Sequence, residues 1–140
     1  MKLFNFILGA FLVFITLTFM RCNEVTEITE LVKNTEKIQI VFYNGDHQDT
    51  YIDITDKSEI KNFGDFVDNK STPILNCKYD GKIVFFLETN TPSGQKNSTS
   101  MEFSLSEDCK QVGYMYNQMW QTKNLTNEGY KYLLNLASKQ

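Results

Sequence analysis

The residue types in this chain that could do chemistry are few and scattered. The one histidine, His47, sits in Asn44-Gly45-Asp46-His47-Gln48-Asp49, where Asp46, His47 and Asp49 could gather a divalent cation or place a general base. Asn, Gly and Asp are also what a hairpin turn uses, because they accept left-handed backbone and bond their own main chain. A calcium loop needs more oxygen ligands at fixed spacing than this stretch offers. The expectation is a turn and no metal. Asp53 with Asp56, and Asp65 with Asp68, are the carboxylate pairs that could do acid–base work. At those spacings they read as the start and the solvated side of a helix. No Gly-x-Ser-x-Gly elbow occurs, and Gly45, Gly64, Gly81, Gly94, Gly113 and Gly129 stand apart rather than forming a phosphate loop. No cofactor is expected.

Aromatic side chains are the richer signal. Within an expected extended stretch, 110–121, Tyr114, Tyr116 and Trp120 fall on one side, with Met115 and Met119 on the other. An exposed row of this kind stacks on sugars or forms an interface hot spot, and a buried one is core. Both rows are apolar, and helices on one face of a sheet cover only one of them. Tyr114, Tyr116 and Trp120 are therefore the candidate ligand-binding residues.

The first twenty-two residues set the address. Lys2 precedes an apolar run from Leu3 to Met20, which ends in Arg21-Cys22. A cysteine placed just after such a run and followed by Asn23 and Glu24 resembles the signal of a bacterial lipoprotein. In that family this cysteine, here Cys22, becomes the lipidated first residue of the mature chain. The resemblance covers residues 1–22. Where the family has a small residue before the cysteine, this chain has Phe19-Met20-Arg21. An uncleaved anchor is the second reading, because this run of 18 residues, broken only by Asn5, Thr16 and Thr18, makes a helix of about 27 Å, close to a ~30 Å hydrocarbon core. Ordinary secretion is the third. All three export the domain, to a membrane-anchored place in the cell envelope or to the outside.

Removing residues 1–21 takes away Lys2 and Arg21 and leaves 12 basic residues against 17 acidic ones, a net charge of −5 (12 − 17). No basic stripe invites nucleic acid. The expected partners are the membrane, through the leader or its lipid, and a protein. With Cys22 assigned to the leader, Cys77 and Cys109 remain as an even pair in an oxidising compartment and are expected to form a disulfide.

These features need a scaffold. Residues 23–36 carry acidic residues at every third position and read as a polar spacer. Ile38, Ile40 and Phe42 alternate with Gln39, Val41 and Tyr43, and a strand at 51–54 follows a turn signal. Asp56 with Glu59 opens a helix whose apolar face is Ile60, Phe63, Phe66 and Val67. Asp80-Gly81 between 74–79 and 82–88 reads as a hairpin turn. Strands at 101–105 and 110–121 follow, and a last helix presents Tyr130, Leu133, Leu134 and Ala137.

The sum is a single α+β domain over 37–140: an antiparallel sheet of about six strands, ordered ββαββββα, with two helices packed on one face. The functional expectation is a non-catalytic exported binding domain, in its sharper form an envelope inhibitor or immunity-type lipoprotein. The alternative is a small carboxylate-dependent hydrolase using Asp53 or Asp56.

Overall fold

Alternating strands build the centre of the molecule. In the computed structural model, which describes residues 26–45, 48–88 and 97–139, Ile38, Ile40, Ile83, Phe85 and Phe103 are all but sealed from solvent. Seven strands form one sheet: β1 (Thr35–Phe42), β2 (Thr50–Ile54), β3 (Val67–Ser71), β4 (Gly81–Leu87), β5 (Ser98–Phe103), β6 (Gln111–Tyr116) and β7 (Met119–Leu125). Their spatial order is β2-β1-β4-β5-β6-β7-β3, and every neighbouring pair is antiparallel. Among the described residues three helices accompany the sheet: α1 (Thr26–Lys33), α2 (Lys57–Asn62), which runs on into a 3-10 turn at Phe63–Asp65, and α3 (Asn127–Ala137).

Residues directly opposed in an antiparallel pair share a face. Ile52, Ile40, Ile83, Met101 and Tyr114 therefore form one row across five strands, beside a second row of Ile54, Ile38 and Phe85. Ile28 and Val32 of α1, Ile60 of α2, Phe63 and Phe66 just after it, and Leu133 of α3 close the same core over these rows. All three helices therefore lie on one face. Asp56 caps α2 by accepting from the backbone N–H of Ser58 and Glu59, and Thr126 caps α3 by accepting from the N–H of Gly129.

The antiparallel α+β architecture agrees with the sequence, and several details differ. The stretch 110–121 is not one strand but the hairpin β6–β7, which raises the strand count to seven. Asn117 (φ 49°) and Gln118 (φ 64°) both turn left-handed there, the geometry of a two-residue type I′ connection. Val67 opens an edge strand over 67–71 instead of closing the apolar face of the helix. Residues 74–79 form no strand, and Asp80-Gly81 is no hairpin turn. Gly81 is required because a Cβ there would lie 2.2 Å from the backbone oxygen of Val41.

The expected polar spacer at 23–36 is largely part of the domain. Residues 26–33 are helical, and Ile28 and Val32 sit one turn apart, both buried. Their burial against the core supplies what an isolated short helix lacks. In α3 it is Leu136, not Leu134, that packs inward; Leu134 is exposed. His47 and Asp46 lie outside the described residues, as does Cys22. No helix among the described residues is long and apolar enough to cross a membrane.

Candidate functional site

The face of the sheet opposite the helices is where side chains are left to act. The residues facing away from the core follow from the register. One row runs Tyr51, Val41, Lys82, Glu102, Gly113, Thr122, and the next Asp53, Gln39, Val84, Ser100, Met115, Trp120. Lys37, Phe86 and Ser98 make a third.

Half of this face is covered by the chain itself. β3 lies beside β7 at one edge, whereas β4 is in the middle of the sheet, so the connection 72–80 must cross β7, β6 and β5. Polar bonds fasten it. The Thr72 N–H donates to the Thr122 carbonyl, and the Thr122 hydroxyl donates to the Thr72 carbonyl. The buried Gln111 side-chain amide donates to the Thr72 hydroxyl and the Pro73 carbonyl. Cys77 and Cys109 form a disulfide with Cα atoms 6.1 Å apart, which ties the crossing to the turn before β6. Tyr79 ends it, packed edge-on against Trp120.

The other part, over β2, β1 and β4, lies outside that crossing, although Val41 within it is only 1% exposed. Tyr51 is 55% exposed there, and Val84 and Phe86 are half-buried. Charges edge these apolar groups. Lys37 lies over the Phe86 ring with Nζ 4.7 Å from its centroid and pairs with Asp53 at 3.2 Å. The Asp53 carboxylate also accepts from Gln39 at 2.8 Å. The Gln39 bond and then Lys37 hold that carboxyl below its ordinary pKa. Tyr43 flanks the region, and burial followed by the Glu102 charge raises its hydroxyl above the usual tyrosine value.

The structure divides the expected aromatic row. Because the I′ turn reverses the chain, Tyr114 opposes Gln121 and Tyr116 opposes Met119 on the helix side, while Met115 opposes Trp120 on the other. Tyr114 packs on the core beside an apolar hollow of about 170 Å³ lined by Ile28, Leu31, Thr99, Met101 and Tyr116. Tyr116, Met115 and Met119 remain exposed at 44%, 58% and 59%. Trp120 is half-buried under Tyr79. The three candidate residues are thus neighbours at one hairpin but do not form one surface. Tyr51, Val84 and Phe86, which do share the open face, were legible only as strand residues. Nothing in the alternation alone says which face the helices take.

Of the candidate carboxylates, Asp53, Asp56 and Asp68 have structural partners. The Ser58 hydroxyl first, and then the Glu59 N–H, hold the Asp56 carboxyl below its ordinary pKa. A general acid needs the opposite shift. Asp65 lines a larger cleft of about 360 Å³ between α1 and α2, whose rim carries Lys33, Lys57 and Lys61. Lys57 is engaged by Glu88 and the Thr35 carbonyl. Among the described residues no group of three His, Cys, Asp or Glu side chains is placed to hold a metal ion. Compared with protein-family models, with curated proteins and with solved structures, the chain matches none.

Proposed function

We propose that this chain is an exported, membrane-tethered binding domain that recognises a protein partner through the helix-free face of its sheet. The observation that carries this reading is the part of that face outside the 72–80 crossing. It presents exposed Tyr51 and half-buried Val84 and Phe86 beside Lys37, Lys82, Asp53 and Glu102. Aromatic and aliphatic groups inside a charged rim are the anatomy of a protein interface, whereas an enzyme would place its groups in a deep cleft. The apolar leader, with Cys22 as the lipidated residue in the lipoprotein reading, supplies the tether. The net acidity of the exported part and its disulfide suit an envelope inhibitor or immunity-type lipoprotein that docks on a basic enzyme.

Photo-crosslinking in intact cells tests it. p-Benzoylphenylalanine at position 51 or 86 should give a discrete protein adduct, and the same probe at Leu134, exposed on the helix side, should give none. Adducts of equal yield from both faces, or from neither, would refute the assignment.

A further inference from the structure

We propose that the end of the sheet carrying the β6–β7 turn rests on an anionic lipid bilayer, with Met115, Tyr116 and Met119 entering its interface and Lys33 and Lys61 meeting its headgroups. This rests on the tethered reading above and concerns a different surface from the partner-binding face. Three observations converge on one end of the molecule.

The first is where the chain arrives. Ile28, in the first turn of α1, lines the same hollow as Tyr116, so α1 begins beside the β6–β7 hairpin. Six peptide links separate Met20, the last apolar residue of the leader, from Thr26, the first residue of α1. Fully extended they reach about 20 Å. A leader or lipid held in a membrane therefore keeps this end near it, and α1, packed on the core, is no long spacer.

The second is composition. Met115, Tyr116 and Met119 are three of the most exposed large apolar side chains among the described residues, and they cluster at one tight turn. Tyrosine is enriched at the headgroup level, where its ring is apolar and its hydroxyl wet.

The third is charge. α1 ends at Lys33 beside the start of β1, and α2 starts at Lys57 just after the end of β2, so Lys33 lies at the same end of the sheet as the β6–β7 turn and Lys61 one helical turn on from Lys57. Lys33 and Lys61 line the cleft between these helices, which Asp65 also lines, and neither lysine makes an ion pair among the described residues, in a chain that is acidic overall. Basic residues near a membrane surface add attraction to anionic lipids.

Trp120, the single tryptophan, opposes Met115 next to the turn and reports on this contact. The full chain is reconstituted into phosphatidylcholine vesicles with and without phosphatidylglycerol, some carrying lipid brominated on the acyl chain near the headgroup. Flotation and Trp120 quenching are read together. The expected result is that the chain floats and that bromine quenches Trp120, with quenching falling roughly twofold or more in the Tyr116→Ser/Met119→Ser variant while flotation stays. Lys33→Glu/Lys61→Glu should lower quenching only where phosphatidylglycerol is present. Circular dichroism confirms that both variants are folded. Flotation without quenching overturns the docking and leaves the tether standing. Failure to float overturns both. Quenching that is lost together with a chemically cross-linked dimer assigns the hairpin to a second copy of the chain and also overturns the proposal.

Discussion

Tyr79 and Trp120 meet edge to face, with ring centroids 6.0 Å apart and planes at 69°, directly over Gly113. A Cβ at position 113 would lie 2.4 Å from the Trp120 ring and 2.6 Å from the Tyr79 hydroxyl oxygen. The glycine is what lets the 72–80 crossing lie flat on the sheet. Gly113→Ala should cost about 1–3 kcal/mol, the usual penalty for overpacking. Urea unfolding followed by Trp120 fluorescence measures it. Gly81→Ala should cost more, because there the clash is with the backbone oxygen of Val41, which cannot rotate away.

The disulfide acts on the same crossing. Cys77 and Cys109 are 32 residues apart in sequence, and closing a loop of that size stabilises a fold by about 3–4 kcal/mol on the chain-entropy model. Cys77→Ser/Cys109→Ser should lower stability by that order. Hydrogen exchange should quicken first at Thr72, whose N–H donates to Thr122 from within the crossing, and last in β4. Uniform quickening across the sheet would show that the bridge supports the whole domain rather than this segment.

The β6–β7 turn carries a correctable strain. Gln118 holds φ at 64°, a conformation that costs an ordinary residue about 1–2 kcal/mol relative to its preferred backbone. Glycine takes it freely but loses more entropy on folding. Gln118→Gly should therefore raise stability by up to about 1 kcal/mol, seen as a higher urea midpoint at unchanged slope. A fall would mean that the Gln118 side chain contributes more than its backbone costs.

That turn also shows where the sequence ceased to be readable. Ile38, Ile40 and Phe42 alternate toward the helix-covered core, so β1 and its hairpin with β2 follow from period alone. Asn117-Gln118 lacks the glycine that marks a I′ turn, and the apolar and aromatic residues on both sides read on as a single strand. A single strand would align Tyr114, Tyr116 and Trp120, and the reversal splits that row by placing Trp120 opposite Met115 rather than alongside Tyr116. Asp80-Gly81 misled in the other direction. Its glycine answers a close approach of Val41 and Phe103, a long-range contact with no local signature. In residues 26–33, the regular acidic spacing masked Ile28 and Val32, whose burial depends on partners far along the chain.

Acid should weaken the fold through two carboxylates. Asp53 and Asp56 have folded-state pKa values below their ordinary ones, so the stability they add is present above the unfolded value near 3.9 and is lost as pH falls through the lower folded values. Asp53→Asn/Asp56→Asn should flatten the dependence of Tm on pH below about 4. Asn at position 56 still caps the helix, since Asn and Asp are comparable caps, so the double variant should stay folded at neutral pH. An acid-labile double variant would shift the cause to other carboxylates.

Alkali should act through Tyr132. Its ring packs against Phe63 and Phe66 between α2 and α3, and its hydroxyl donates to Glu59 Oε1 at 2.5 Å. Burial first, and then the bond to the Glu59 carboxylate with that group's charge, raises the Tyr132 pKa far above its usual value. A raised folded value means that this contribution is intact below the unfolded pKa near 10 and is lost as pH climbs above it, where the unfolded chain ionises and the folded one resists. Tyr132→Phe keeps the ring and removes the hydroxyl. It should cost about 1.5–3 kcal/mol at neutral pH, the range for a hydrogen bond to a charged group. The same variant should lose less stability than the wild type between about pH 10 and 11.5, since the group that titrates there is gone. Unfolding by urea at neutral and alkaline pH reads both effects. An unchanged alkaline slope would transfer the effect to Tyr43, whose pKa is also raised.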